Sequence, residues 1–297
     1  MSSFRYDTSG CWLKGNTHVH STASDGGRSF NELAQMYAAQ GYDFLFRTDH
    51  WVASDVAADR EKAPLVWLDG IELDGLDGSG AYYHVVCLGT FKGLNRSMGL
   101  LAALEAARAQ NAVTILAHPF WTGNSLNDAL RWSFDGVEIY NHVCHWLNGK
   151  GDGLVHWNGM LTETPQTLGF AADDAHIRAE HPGWNGGWIV VNARARTPAA
   201  IIASIRAGNY YSSCGPLIMD LSFDGETVYV RSSPVQFIRL VGPTWEGSRI
   251  GYFDGKLISE AAFQVPKTWR YVYLELEDSQ RRRAWTNTLF VDTPQNA

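Results

Sequence analysis

Imidazoles and carboxylates recur at short intervals through the first two thirds of this 297-residue chain. His18 and His20 stand two apart and Asp25 follows. Asp49-His50, Glu72, His84, His118, Glu138, Asp174 and His176 come after. Alone, a strand histidine is more often a hydrogen-bonded core residue, and an aspartate after a strand is usually a helix cap. Their coincidence points elsewhere. An HxH pair on a strand turns both rings to one face. Imidazoles mixed with carboxylates suit zinc, manganese or iron, and a set this large calls for more than one ion.

Something must bring these residues together. Strand-like apolar runs cover 16–20, 42–48, 65–73, 82–88, 112–117, 136–140, 167–171 and 188–192, and helical periodicity marks 29–40, 97–110 and 197–207. Ser29 and Glu32 have capping-box spacing, and Gly41 suits the helix end. Alternating strands and helices imply an α/β barrel, whose functional groups collect at the C-terminal strand ends. His18, His20, His50, Glu72, His118, Asp174 and His176 fall at or just beyond such ends, and His84 near the start of a strand. From Pro216 onward only short strands are read, at 218–223, 227–231, 237–241, 262–265, 271–277 and 285–291. The expected division is a barrel over 1–215 and a small antiparallel β-rich domain over 216–297.

The pieces HVHSTASDG, TDH, GIELD, YHVVCLG, AHP, VEIYN and DDAH, in that order, resemble the PHP (polymerase and histidinol phosphatase) superfamily of metal-dependent hydrolases over about residues 11–215. The resemblance implies a distorted (β/α)7 barrel with a trinuclear centre. Carried over, His18, His20, Glu72 and Asp174 would hold one ion. Glu72 would bridge to a second with His84 and His118, and Asp25, His50 and His176 would hold a third. Asp25 stands where the family often has a further histidine. Glu138 matches a recurring acid that orients a ligand imidazole, with Asp49 in a similar role, and Asp173 reads equally as a cap. Later stretches, GFAADDAH, IRAGNYYSSCGP and AWTNTLFV, resemble a subgroup similar to enzymes that cleave carbamate esters.

The function implied is phosphoester hydrolysis by a water that the ions acidify to hydroxide. The alternative is cleavage of a carboxylic ester, carbamate or amide at the same centre; a third reading is an inactive metal-binding module. Arg47, Asp49 and Glu138 are the candidate catalytic groups. Arg47, Arg28 and Arg178 are candidates for a substrate phosphate, with a barrel-wall ion pair the other reading of Arg47. Trp51 and Trp121 adjoin ligand motifs and would wall a cleft for a planar or sugar portion. His142, His145 and His156 are loop histidines, one of which could serve as a general acid. Cys144 beside them has no oxyanion site to make it a nucleophile.

Composition excludes other classes. Lys+Arg 24 against Asp+Glu 31 leaves −7, with no basic patch, so nucleic acid is not an expected partner. Neither a signal peptide nor an apolar span long enough for a membrane is evident. The four cysteines are scattered, which suits reduced thiols in a cytoplasm. A small-molecule substrate is expected, and the β-rich part would cover the barrel or mediate a homo-oligomer.

Overall fold

The computed structural model describes residues 2–53, 55–56 and 64–292. After β1 (Ser2–Phe4), β2 (Cys11–Asn16) enters the main sheet and leads to α1 (Phe30–Ala39). Ser29 and Glu32 cap that helix reciprocally, each side chain taking the other's backbone N–H. β3 (Phe44–Arg47) and β4 (Val66–Leu76) follow, parallel to β2. Then come β5 (Tyr82–Leu88), α2 (Leu100–Ala109), β6 (Val113–Leu116), α3 (Pro119–Thr122), α4 (Leu126–Arg131) and β7 (Gly136–Asn141). α5 (His142–Asn148), α6 (Leu154–Glu163) and β8 (Leu168–Ala172) complete this part.

Strands β2 to β8 lie side by side in chain order. Beyond their C-terminal ends, the chains of β2 and β8 meet at a parallel bridge between Val19 and Ala175. The sheet departs from a regular strand–helix repeat at β5, which is antiparallel to both β4 and β6. The turn over 77–81 is too short for a crossover and forces a hairpin. That reversal puts the start of β5, and so His84, at the same end as the C-termini of its neighbours.

β9 (Trp188–Ala193), α7 (Pro198–Arg206) and β10 (Tyr210–Ser213) come next. They are followed by β11 (Ile218–Phe223), β12 (Thr227–Val235), β13 (Phe237–Val241), β14 (Gly247–Gly251), β15 (Ile258–Gln264), β16 (Tyr273–Glu277), β17 (Arg283–Thr286) and β18 (Phe290–Asp292). The main sheet runs on from β2 through β9, β10, β17, β16 and β13 to β14, making thirteen strands. β11, β12 and β15 form a second sheet, and β1 pairs with β18. The fold is thus α/β with one large mixed sheet, and the β-rich end is joined to the rest by the β10–β17 ladder.

Several elements were not legible in advance. The stretch 141–158, expected as a connection, holds α5 and part of α6, whose Trp157 is fully buried with its indole N–H on Thr167 O. The first strand, expected at 16–20, ends at Asn16, so the HxH pair lies just past it. The helix expected over 97–110 breaks at Gly99, at φ +73°, and the α-helix begins at Leu100. None of the described helices is long and apolar enough to cross a membrane. All four cysteines are free.

Alternation positions the chemistry. On β4, Ile71 and Leu73 pack with Leu100, Ala103 and Leu104 of α2, which leaves Glu72 and Asp74 on the opposite face. On β5, Val85 and Cys87 join that outer layer, while Val86 and Leu88 pack inside with Phe44, Phe46 and Phe170. His84 shares the inner side.

Candidate metal centre

All nine expected ligand residues converge at one end of the sheet. Glu72, fully buried, is the hub. Its Oε2 lies 3.1 Å from His18 Nε2, 3.2 Å from His20 Nε2 and 3.3 Å from His50 Nδ1. Its Oε1 is 2.8 Å from His84 Nδ1 and 3.5 Å from His118 Nε2. Asp174 Oδ1 faces His18 Nε2 at 3.3 Å and His20 Nε2 at 3.1 Å, and its Oδ2 is 3.7 Å from His118 Nε2. Asp25 Oδ2 is 3.2 Å from His176 Nε2, and its Oδ1 is 3.7 Å from His20 Nδ1.

These atoms fall into three overlapping groups, each compact enough for one ion. They are His18, His20, Glu72 and Asp174; His50, Glu72 and His84; and His20, Asp25, His50 and His176. The first has the membership expected from the sequence. The second includes His50 in place of His118, which stands beside it with its ring centre 4.9 Å from that of His84. The third gains His20.

The side chains fit cations better than they fit one another. Glu72 Oε2 is buried and lacks a hydrogen bond among the described residues, despite the three nitrogens around it, and Nδ1 of His20, His50 and His118 is orphaned too. His18 Nε2 and His20 Nε2 approach to 3.1 Å, a close contact between two groups whose lone pairs suit a shared electrophile. In this protein alone, protons would have to supply the missing positive charge. Burial works against an imidazolium at His18, but Asp174, Glu72 and Glu138 outweigh it and hold that ring well above the ordinary histidine value. His20 is likewise pushed up to about 9: burial opposes the charge, and the adjoining Asp174 and Glu72 carboxylates override it. Burial disfavours charge on Glu72 as well, yet His18, His50 and His84 hold it well below the usual carboxylate range. For Asp174, His18 and His20 do the same against burial.

A second layer fixes the rings. Glu138 Oε1 accepts the Nδ1 proton of His18 at 2.7 Å, so Nε2 faces the cluster. Glu138 Oε2 accepts from His118 N and from Asn141 Nδ2. Asp74, which the sequence reading passed over, lies two residues beyond Glu72 on the same face. Its Oδ1 is 3.4 Å from His50 Nδ1 and accepts from Trp51 Nε1 at 2.8 Å. Its carboxylate also takes Tyr82 Oη and both terminal nitrogens of Arg96. Asp74 had a signal in the period-two pattern; Arg96, on a short 3-10 turn over Arg96–Met98, had none. Backbone strain gathers here as well, with positive φ at Trp51, His118, Asp174 and Ile177.

Other candidates are placed differently. Asp49 is fully buried and does not face the cluster's centre. It accepts Ser21 N, Ser21 Oγ, Ser24 Oγ and Arg47 Nε, tethering the loop that carries Asp25. Arg47 therefore forms the ion pair, with its guanidinium 5.1 Å from the Phe30 ring centre. Arg28 is exposed, and its Nη1 donates to Gly27 O. Arg178 approaches the third group, its Nη2 4.0 Å from Asp25 Oδ2. Trp51 is spent on Asp74 and lies under Arg96, whereas Trp121 stands edge-on to His118 and His84 at 39% exposure. Asp173 caps no helix among the described residues; it braces the loop before β9, accepting Asn16 Nδ2, Tyr37 Oη and the backbone N–H groups of Asn185, Gly186 and Gly187. His156 bonds Asn124 O, and His142 and His145 lie on α5 beside Tyr140. Burial, Asp174 and Glu138 push the Cys144 thiol far up, which keeps it protonated beside Asp174.

No protein-family model matches the chain. An alignment 133 positions long, covering 36% of this chain and 23% of that curated relative, is 30% identical to the DNA polymerase/3'-5' exonuclease PolX of Bacillus subtilis (strain 168). A two-domain protein from Bacteroides vulgatus ATCC 8482, containing a predicted PHP-like metal-dependent phosphoesterase, shares the fold. Its TM-score is 0.56 at 13% identity, over 94% of this chain and 96% of that one. A candidate metal-dependent phosphoesterase from Bifidobacterium adolescentis ATCC 15703 is more remote, at TM-score 0.45 and 12% identity over 65% of this chain and 96% of its own. The chain thus shares its fold with a PHP-like protein and, over part of its length, sequence identity with PolX, and the residues of the ordered motifs converge on one ligand-type cluster.

Proposed function

We propose that this protein is a metal-dependent phosphoesterase acting on a small molecule. The observation that carries the reading is Glu72: a buried carboxylate with an orphaned oxygen, ringed by five imidazoles. His18, His20, Glu72 and Asp174 would hold one divalent ion. Glu72, His84 and His118, with His50 near, would hold a second, and Asp25, His50 and His176 a third. Bound there, zinc, manganese or iron would supply Lewis acidity toward phosphoryl oxygens and acidify a water for attack.

The chain's own residues do the rest. Glu138 keeps the Nδ1 proton of His18 outside the cluster, leaving Nε2 as a donor of electrons to the ion. Asp74 holds Trp51 and, through it, the backbone next to His50. Trp121 walls the side at His84 and His118 and suits a planar or apolar leaving group. The phosphoester preference draws support from the Bacteroides two-domain protein, whose PHP-like part is a predicted metal-dependent phosphoesterase.

The test pairs metal analysis with a substrate panel. Purified protein should contain two or three transition-metal ions per chain, and Glu72→Ala should lose both metal and turnover. Chelation should lower the melting temperature by roughly 10 °C where free metal had stood about a thousandfold above its Kd. p-Nitrophenyl phosphate, phosphodiesters, carboxylic esters, carbamates and amides are then compared. Turnover confined to the carbon-centred substrates would sink the phosphoesterase reading in favour of an ester or carbamate hydrolase, and less than one ion per chain would sink the centre itself.

A further inference from the structure

Beside the third ligand group, on the connection from β8 to β9, Arg178 and His181 exchange backbone hydrogen bonds, N of each to O of the other at 3.1 Å. Residues 178–181 therefore close a two-residue hairpin. In such a reciprocal pair both side chains leave on the same face. Independent contacts show which way that face looks. Arg178 Nη2 lies 4.0 Å from Asp25 Oδ2, and the His181 ring centre is 5.8 Å from that of His176.

The arginine is aimed by its packing. A Cβ added at Gly27 would stand 3.1 Å from Arg178 Cγ, so the stem lies against that backbone and cannot sweep through it. Gly27 N in turn bonds His176 O, which ties hairpin, glycine and ligand motif into one unit. Yet the donors are left over. Arg178 Nε and His181 Nδ1 are both buried and have no hydrogen-bond partner among the described residues. The carboxylate at hand, Asp25, is closer to His176 than to Arg178.

We propose that Arg178 and His181 form a subsite for a phosphate-type oxyanion, which makes the substrate a phosphomonoester rather than a diester. The inference rests on the phosphoesterase reading and deepens it. A guanidinium matches two oxygens of a phosphoryl group, and an imidazole N–H adds another donor. A monoester has terminal oxygens to spare for donors outside the ligand cluster. A diester's second substituent would occupy one of those positions, and a neutral ester leaves the donors unpaired.

Inorganic phosphate is the probe, titrated calorimetrically into metal-loaded wild type, Arg178→Met, Arg178→Lys and His181→Gln, with metal content measured on each. Arg178→Met should weaken phosphate about tenfold or more and His181→Gln by several-fold, with Arg178→Lys between wild type and Arg178→Met because the fork is lost and the charge kept. Metal content should not change. Undiminished phosphate affinity in Arg178→Met and His181→Gln overturns the subsite, as does absence of phosphate binding by wild type. Loss of metal in these variants also overturns it, because the hairpin would then be a brace for Asp25 and His176. Because no turnover is read, the two proposals fail separately. Phosphate binding through Arg178 without phosphoester hydrolysis removes the reaction and leaves the subsite, and hydrolysis with unchanged phosphate affinity in the variants does the reverse.

Discussion

Glu138 Oε1 and His18 Nδ1 meet at 2.7 Å, both side chains fully out of solvent. The carboxylate can only accept, so the ring must donate there, and the tautomer that presents Nε2 to Glu72 and Asp174 is settled by this one contact. Glu138→Ala should therefore weaken metal binding by about 10- to 100-fold, while Glu138→Gln, which can still accept from Nδ1, should lose less. Metal affinity by competition with a chelating dye checks this, and equal affinities for wild type and Glu138→Ala would remove the role.

Asp49 acts on the centre from a distance. Its four hydrogen bonds hold Ser21, Ser24 and Arg47, and so the loop ending at Asp25. Asp49→Asn replaces an acceptor oxygen by a donor inside that set and should cost roughly 2 kcal/mol of stability. It should also lower metal content by one ion per chain, the one nearest Asp25. Elemental analysis decides, and a full complement in Asp49→Asn would count against the tether.

Asn287 belongs to the C-terminal stretch yet serves β8. Its Oδ1 accepts Gly169 N at 2.9 Å, and its Nδ2 donates to Gly208 O and Tyr210 O. Asn287→Ala leaves a buried β8 amide unpaired and should destabilise the chain by about 2–3 kcal/mol. Urea unfolding measures it, and a change under about 0.5 kcal/mol would show that water takes the place of the side chain.

Lys14 offers a pH test away from the ligands. Its Nζ lies over the rings of Tyr42 and Trp188 and donates to Asn185 Oδ1. Burial pulls the ammonium down to about 8, with Asp173 opposing. Between that value and the ordinary lysine value of 10.5 the unfolded chain binds more protons at this position than the folded one, so stability rises with pH across that window. Wild type should accordingly gain stability relative to Lys14→Met from pH 8 to 10. Parallel stability profiles for the two proteins would refute the shift.

The centre was legible because ligand chemistry is carried by residue type. HxH, TDH, AHP and DDAH announce imidazoles and carboxylates at strand ends whatever the exact bounds of the strands, and the four residues that the resemblance assigns to one ion do stand together as one group. The supports were less legible. Arg47 reads equally as a phosphate ligand, because it precedes TDH, and as an ion pair; only the folded chain shows its Nε turned to Asp49, two residues on. Trp51 likewise reads as a cleft wall until Asp74 takes its indole N–H. The short helices α4 and α5 carry too few turns for periodicity to stand out, and β14 is only five residues long.

By itself the sequence determined the α/β character and the end of the sheet where the imidazoles and carboxylates gather, since these follow from side-chain type and from periods of two and of 3.6. Only the tertiary structure decided the sharing: that Glu72 serves five imidazoles and that His20 and His50 each stand in two groups. It also decided that Arg178 is aimed inward with His181 while Arg47 is spent on Asp49. Those outcomes depend on distances between segments far apart in the chain. Such distances are set by how strands curl and loops close, which local pattern does not encode.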